Sequence, residues 1–243
     1  MCMTGCKNIE YKGKCIVDGH SYSFSRAVPE DVGGISLIYE QTRIDKSNYR
    51  DKLSDTSPHR FEEKGGMFVV LTEKEIGEEI EKDNNFWIVF RDEDGTPAGS
   101  FWFSERNDSY RGLSYEHMEK CIYPREVAVS KSHGGRSIAQ LMYYTCSVAF
   151  LRAGYERGCA DLYRVIGYRT DEGSFTTDQI NIPSRMSVLA IGAEFAEPLP
   201  VRDIELDGLT VTIEPQMYLF DYKRISEKCG KELSEKDIRI IWE

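Results

Sequence analysis

Residues 126–139 read Glu-Val-Ala-Val-Ser-Lys-Ser-His-Gly-Gly-Arg-Ser-Ile-Ala, and their types and spacing could hold an anion. The stretch begins as strand and stops at Val129. The small residues Gly134, Gly135, Ser137 and Ala139 then leave backbone N–H groups uncovered by side chains. Apolar spacing at Ile138, Leu141, Met142 and Val148 predicts an amphipathic helix over about 135–157, opening at this loop. A helix start offers four unpaired N–H donors and the positive end of the helix dipole. Loop and helix start together make a cradle of the size that fits a diphosphate. The same pattern also arises as a plain Gly-rich connection, so its meaning depends on the elements around it.

Those elements follow from the rest of the chain. Ser21 to Ala27 alternates as a first strand, and Pro29-Glu30-Asp31 opens a helix with acids at its positive end. Ile35, Ile38 and Thr42 give that helix an inward face. Residues 44–66 are charged and turn-rich and read as an exposed excursion. Thr72 and Glu75 have the spacing of a capping box. Two aromatic and β-branched runs, 86–90 and 98–103, flank Asp94-Gly95 and predict a hairpin. A polar loop over 104–120 leads to a strand at 123–129, which the anion loop follows. Further strands are expected at 161–168, 209–213 and 217–220. A short helix over 184–193 is expected to carry Met186, Leu189, Ala190 and Ala193 on one face.

Composition narrows the function classes. The 243 residues include 41 acidic and 31 basic side chains, a net charge of −10. That balance argues against nucleic acid as a general partner, because phosphate-backbone affinity comes from clustered Lys and Arg. No window approaches the ~18 apolar residues of a membrane span. The N-terminus lacks the apolar region of a secretory signal, so a soluble cytoplasmic protein is expected. Seven cysteines without Cys-x-x-Cys or Cys/His zinc spacing imply reduced thiols and no metal. Residues 1–20 read as a loosely attached arm, 21–222 as one domain, and 223–243 as a charged tail, helical at first.

The order of these elements resembles the GNAT superfamily of N-acyltransferases. Four stretches carry the resemblance: Arg26-Ala27-Val28-Pro29-Glu30-Asp31, Asp94-Gly95-Thr96-Pro97-Ala98-Gly99, Val129 through Ala139, and Asn181-Ile182-Pro183-Ser184 with Ile191-Gly192. Three positions depart from the family pattern. Gly134 stands where the family usually has Arg or Gln, Ser137 where it has Gly, and Lys131 where it often has Pro. The resemblance implies an α/β fold with a single mixed, mostly antiparallel sheet of six or seven strands flanked by helices. Strand 123–129 would lie parallel to 161–168, the two splaying at their ends.

The resemblance also assigns roles. Backbone groups of Val127 and Val129 would meet the pantetheine of an acyl-CoA. Gly134, Gly135, Arg136, Ser137, Ile138 and Ala139 would hold its diphosphate, with Arg136 either adding a charge or lying solvated on the helix surface. Asn181 and Ser184 would contact the pantetheine arm, or Ser184 would be an ordinary N-cap. Glu126 would be the general base, against the alternative of a salt-bridged or outward-facing strand carboxylate. The family often has a Tyr on the later helix to protonate the leaving thiolate, but Ser187-Val188-Leu189-Ala190 contains none. Tyr168 would replace it, or pack at a strand edge. His133 is expected beside the phosphates or facing solvent. The reaction implied is attack of an amine, small or protein-borne, on the thioester of acetyl-CoA or another acyl-CoA, without metal. A homodimer is left open. Residues 125–129, the long helix and the closing strands also resemble acyl-homoserine-lactone and N-acyl amino acid synthases, which use acyl-carrier protein. A non-catalytic module that binds acyl-CoA is the third option.

Overall fold

The structure is a computed structural model that describes residues 6–43, 66–67, 70–105, 121–171, 173–206, 209–236 and 238–243. The excursion at 44–65 and most of the polar loop, 106–120, lie outside the described residues. The chain divides into two compact units: residues 1–41, 71–159 and 220–243, and residues 42–70 and 160–219.

The first unit is built on a sheet of β1 (Lys12–Val17), β2 (His20–Arg26), β3 (Asn85–Arg91), β4 (Pro97–Ser104), β5 (Tyr123–Val129) and β11 (Arg239–Trp242). Their order is β11-β1-β2-β3-β4-β5, and the neighbours pair antiparallel. Helices α1 (Val32–Thr42), α2 (Glu73–Glu81), α3 (Ile138–Arg152) and α5 (Tyr222–Glu235) accompany it. The β3–β4 hairpin forms at Asp94-Gly95 as its sequence predicts. It is buried on both faces, which explains its unbroken apolar run. On one face Phe101 meets Tyr143 and Phe103 meets Phe150, both pairs at 4.7 Å, so α3 seats there. On the other face Trp87 and Trp102 stack at 5.1 Å, and Tyr39 of α1 lies against Trp87. The inward face of α1 is Ile35, Ile38 and Tyr39, whereas the expected Thr42 is only partly buried. The capping box forms: Glu75 N–H donates to Thr72 Oγ1 and Thr72 N–H to Glu75 Oε2.

The N-terminal arm is corrected. Lys12–Val17 alternates exposed and buried residues and pairs on both sides, with β2 and with β11. Its Cys, Gly and Lys residues looked like loop, but the alternation places both lysines outward. Gly13 is the tight point, since a Cβ there would sit 2.5 Å from the Phe24 ring and 2.4 Å from Ile241 O.

The second unit holds β7 (Gly173–Ile180), α4 (Ile182–Ala190), β8 (Glu194–Pro198) and β9 (Arg202–Leu206), with most of β6 (Arg157–Thr170) and β10 (Leu209–Asp221). Its sheet has the order β7-β6-β10-β8, with β9 also on β10. Val165, Tyr168, Leu209, Val211 and Ile213 form its core cluster. The two expected closing strands are one strand, β10, with a register shift between Gln216 and Tyr218. On α4 the buried side chain is Val188, while Met186 and Leu189 are exposed; the expected face is reversed.

The α/β class and the mostly antiparallel pairing stand, but the single sheet does not. The described strands form two sheets, and the expected parallel pairing of the fifth and sixth strands shrinks to one bridge, Cys121 with Arg157. There Ile122 N–H donates to Arg157 O at 3.1 Å. In a parallel ladder the next donor toward the same neighbour is two residues on, and that residue is Pro124, which has no N–H. The carbonyl between them, Ile122 O, is taken at 2.6 Å by the Tyr222 hydroxyl.

Candidate functional site

The loop after β5 starts while still paired, Ser130 N–H donating to Ala98 O at 2.9 Å. Residues Lys131–His133 make one 3₁₀ turn. Its closure uses the Gly134 N–H, which donates to Lys131 O at 3.3 Å, so Gly134 is not one of the cradle's free donors. Nor does its backbone, at φ −59° and ψ 146°, require glycine. Gly135 does, at φ +77°, and Ser137 holds the same left-handed region at φ +59°. The helix then begins at Ile138 rather than near Gly135. Its first backbone bond runs from Leu141 N–H to Ser137 O, which leaves the N–H groups of Ile138, Ala139 and Gln140 without intrahelical acceptors. A Cβ built on Gly135 would meet nothing within 4 Å, so this side of the loop is open. Donors, dipole and open approach fit a diphosphate.

Side chains brace this loop from outside it. Gln41 Oε1 of α1 accepts from Lys131 N–H at 3.0 Å and from Ser130 Oγ at 3.3 Å. Lys236 Nζ, just past α5, donates to Ser137 Oγ at 3.0 Å. Arg136 is not a solvated surface arginine: its Nη1 donates to Tyr22 Oη at 3.3 Å. His133 is not solvent-facing either, with Nδ1 3.1 Å from Tyr22 Oη and Nε2 3.5 Å from Asp92 Oδ2.

Glu126 lies midway along β5, directly across from Trp102 of β4. It is partly buried, and its Oε2 is sealed from solvent with no hydrogen-bond partner among the described residues. Burial pushes its carboxyl up to about 7, against a smaller downward pull from Arg125. The outward-facing alternative does not hold for Oε2, and among the described residues no salt bridge to Glu126 forms. Trp102 Nε1 is likewise sealed and unpartnered, while the Arg125 guanidinium lies 5.3 Å from the Trp102 ring centre. Tyr39 faces the same carboxylate: burial first, then the Glu126 charge, raises its phenol well above the usual value. A carboxyl held near neutrality can take a proton from an ammonium or amine in the pH range where enzymes work.

Val127 and Val129 lie at the end of β5, next to the loop. Because Ser130 N–H points to β4, the two-residue period turns the N–H and C=O groups of Val127 and Val129 away from it. The remaining candidates belong to the second unit. Asn181 is itself the N-cap of α4, its Oδ1 accepting from Ser184 N–H at 3.0 Å, so Ser184 is the capped residue and not the cap. Tyr168 is buried in the core of its unit and donates to Gln179 Oε1 at 3.0 Å; the packing role is the one this geometry supports. Sequence reasoning missed Tyr22, Gln41, Asp92 and Trp102, which come from four different elements and reach the site only through the fold. The unbroken apolar run of β4 was the one signal that Trp102 would be buried.

No protein-family model matches the chain, and no curated protein matches it in sequence. Solved structures do. RimJ of Mycobacterium smegmatis, in complex with CoA-disulfide, superimposes with a TM-score of 0.58 at 14% identity, covering 97% of this chain and 98% of that one. The GNAT domain of S. lividans PAT gives 0.52 at 13% identity, over 86% and 96% of the two chains. The ribosomal-protein-S18-alanine N-acetyltransferase of Escherichia coli gives 0.51 at 8% identity, over 83% and 94%. Strand, glycine turn and open helix start occur here in the order the sequence resemblance implied, and the whole-chain likeness agrees: this protein has the fold of the GNAT acetyltransferases.

Proposed function

We propose that the chain is an N-acyltransferase that moves an acyl group, acetyl in the first instance, from acyl-CoA to an amine. The observation that carries this is the content of one strand. β5 leads into the open diphosphate cradle and presents, three residues before its own end, a carboxyl raised to about 7 beside a stacked tryptophan pair. A protein of the same fold holds CoA-disulfide, which supports CoA as the donor class.

The proposed residues act in sequence. The N–H groups at the start of α3, with Gly135 and Ser137 shaping the turn, hold the diphosphate; the outward amides of Val127 and Val129 hold the pantetheine. With the thioester so placed, the amine nitrogen attacks its carbonyl carbon, and much of the acceleration comes from positioning. Glu126 takes the proton that the nitrogen must lose, and the C–S bond breaks to release CoA. No tyrosine stands on α4 to protonate the thiolate, and Tyr168 is engaged with Gln179; water is the proton source in this reading.

The test is amine-dependent thiol release from acetyl-CoA over a panel of small amines and peptide N-termini. Release that depends on both substrates supports the assignment. CoA binding without release for any amine would make the chain a binding module. Transfer from acyl-carrier protein but not from CoA would make it a relative of the synthases.

A further inference from the structure

Tyr22, in the middle of β2, is only 1% exposed, yet its hydroxyl joins two side chains of the loop between β5 and α3. Arg136 Nη1 lies 3.3 Å and His133 Nδ1 3.1 Å from Tyr22 Oη. A guanidinium only donates, so Tyr22 accepts from Arg136, and its buried hydroxyl hydrogen is satisfied only if Nδ1 accepts it. In that arrangement the ring hydrogen sits on Nε2, which faces Asp92 Oδ2 at 3.5 Å. Asp92 is fixed in turn, because its Oδ1 accepts from Asp94 N–H at 3.1 Å and from Thr96 N–H at 2.9 Å. The neighbouring Glu93 accepts from Ser21 N–H at 2.8 Å and ties the same turn to β2. Polar contacts therefore run from the β3–β4 turn through His133 and Tyr22 to Arg136, hydrogen bonds joining Tyr22 to both loop side chains and a 3.5 Å ion-pair-range contact joining His133 to Asp92.

We infer that Tyr22, His133 and Asp92 are positioning residues for the acyl-CoA cradle, holding Arg136 and the loop through a neutral His133. The affinity for acyl-CoA consequently falls when His133 takes up a proton. This rests on the acyl-CoA reading above. The titratable and charged groups facing His133 are Tyr22 on β2, Asp92 at the hairpin turn and Arg136 in its own loop. Asp92 can keep its contact in either protonation state. The Tyr22 bond must reverse: a proton on Nδ1 turns an acceptor into a donor, and the buried hydroxyl hydrogen loses its partner. A histidine that touched the phosphates directly would act with the opposite sign, because its positive form would bind them better.

The experiment is calorimetric titration of CoA from about pH 8 down to about pH 5.5, with dephospho-CoA in parallel to remove the ionisation of the 3′-phosphate. Wild-type affinity for both ligands is expected to fall about tenfold toward low pH, the scale of one buried hydrogen bond. His133→Gln keeps an acceptor for Tyr22 and cannot titrate, so it should match wild type at high pH and stay level. Tyr22→Phe should be about tenfold weaker at high pH, with kcat at saturating acyl-CoA within about twofold of wild type. Wild-type binding that tightens at low pH, or a Tyr22→Phe variant of unchanged affinity, overturns the inference while leaving the acyl-CoA assignment standing. A wild-type protein that binds CoA at no pH overturns the donor reading and this inference together.

Discussion

Strand β5 serves two polar regions that are built in opposite ways. The loop at its end is cross-braced from outside: Gln41 holds Ser130 and Lys131, Tyr22 holds Arg136 and His133, and Lys236 holds Ser137. Midway along the strand, Glu126 Oε2 and the Trp102 Nε1 across from it are sealed from solvent and unpartnered among the described residues. A buried polar atom without a partner costs about 1–3 kcal/mol, and a catalytic role is one reason a fold keeps it. The first region is stiff and ready for a ligand; the second carries a cost that a substrate can relieve. Damage to the loop should therefore change affinity, and damage to Glu126 should change rate.

The sharpest way to break that division is Glu126→Gln. If Glu126 takes the amine proton, kcat should fall roughly 10²-fold or more while CoA affinity barely moves. The base must be ionised to work, so wild-type activity should decline as pH drops below about 7, and the variant should lose that limb. Wild-type turnover by the variant from about pH 6 to about pH 9 removes Glu126 from the mechanism and collapses the contrast, although acyl transfer itself would survive.

Stability gives a second view of the same carboxyl. Its folded-state value lies near 7, above the ordinary 4.5, because burial disfavours the charged form. The stabilisation this represents is complete at low pH and is lost as pH rises through about 7. Glu126→Gln should match wild type near pH 4.5 and exceed it above pH 7 by up to about 3 kcal/mol. Urea unfolding at several pH values measures this, and a difference that does not grow with pH contradicts it. The smallest effect is expected at Gln41→Ala. Its two bonds to the loop are solvent-exposed on the Gln41 side, so CoA affinity should fall only about three- to fivefold, with kcat unchanged. Steady-state kinetics with acyl-CoA varied would show any kcat effect.

The fold was legible where local chemistry and tertiary packing ask for the same thing. The β3–β4 hairpin combines a turn signal with two apolar runs, and the Thr72–Glu75 box closes within one helical turn. Strand β5 was placed at its observed bounds, Tyr123–Val129. Strand β1 was not, because Gly13 and two lysines look like loop until β2 and β11 flank them. The split into two sheets depends on one missing N–H at Pro124 and on Tyr222 closing over Ile122 O, a residue a hundred positions away. On α4 the exposed Met186 and Leu189 follow a helical period without being buried. At the site, the small-residue loop and Glu126 were readable as residue types in a row. Their supports were not, since Tyr22, Gln41, Asp92 and Trp102 meet them only through the sheet.

In the proposed reaction, backbone donors in the turn before α3 bind the donor's diphosphate. Gly135→Val tests it most directly: φ +77° is strained for a β-branched residue, and the added side chain would enter the open side of the loop. CoA should be titrated calorimetrically into wild type and variant, with the variant's far-UV circular dichroism checked to show that it is folded. Wild type should bind clearly, and a folded variant should lose about tenfold or more. A folded Gly135→Val protein with wild-type CoA affinity would contradict it.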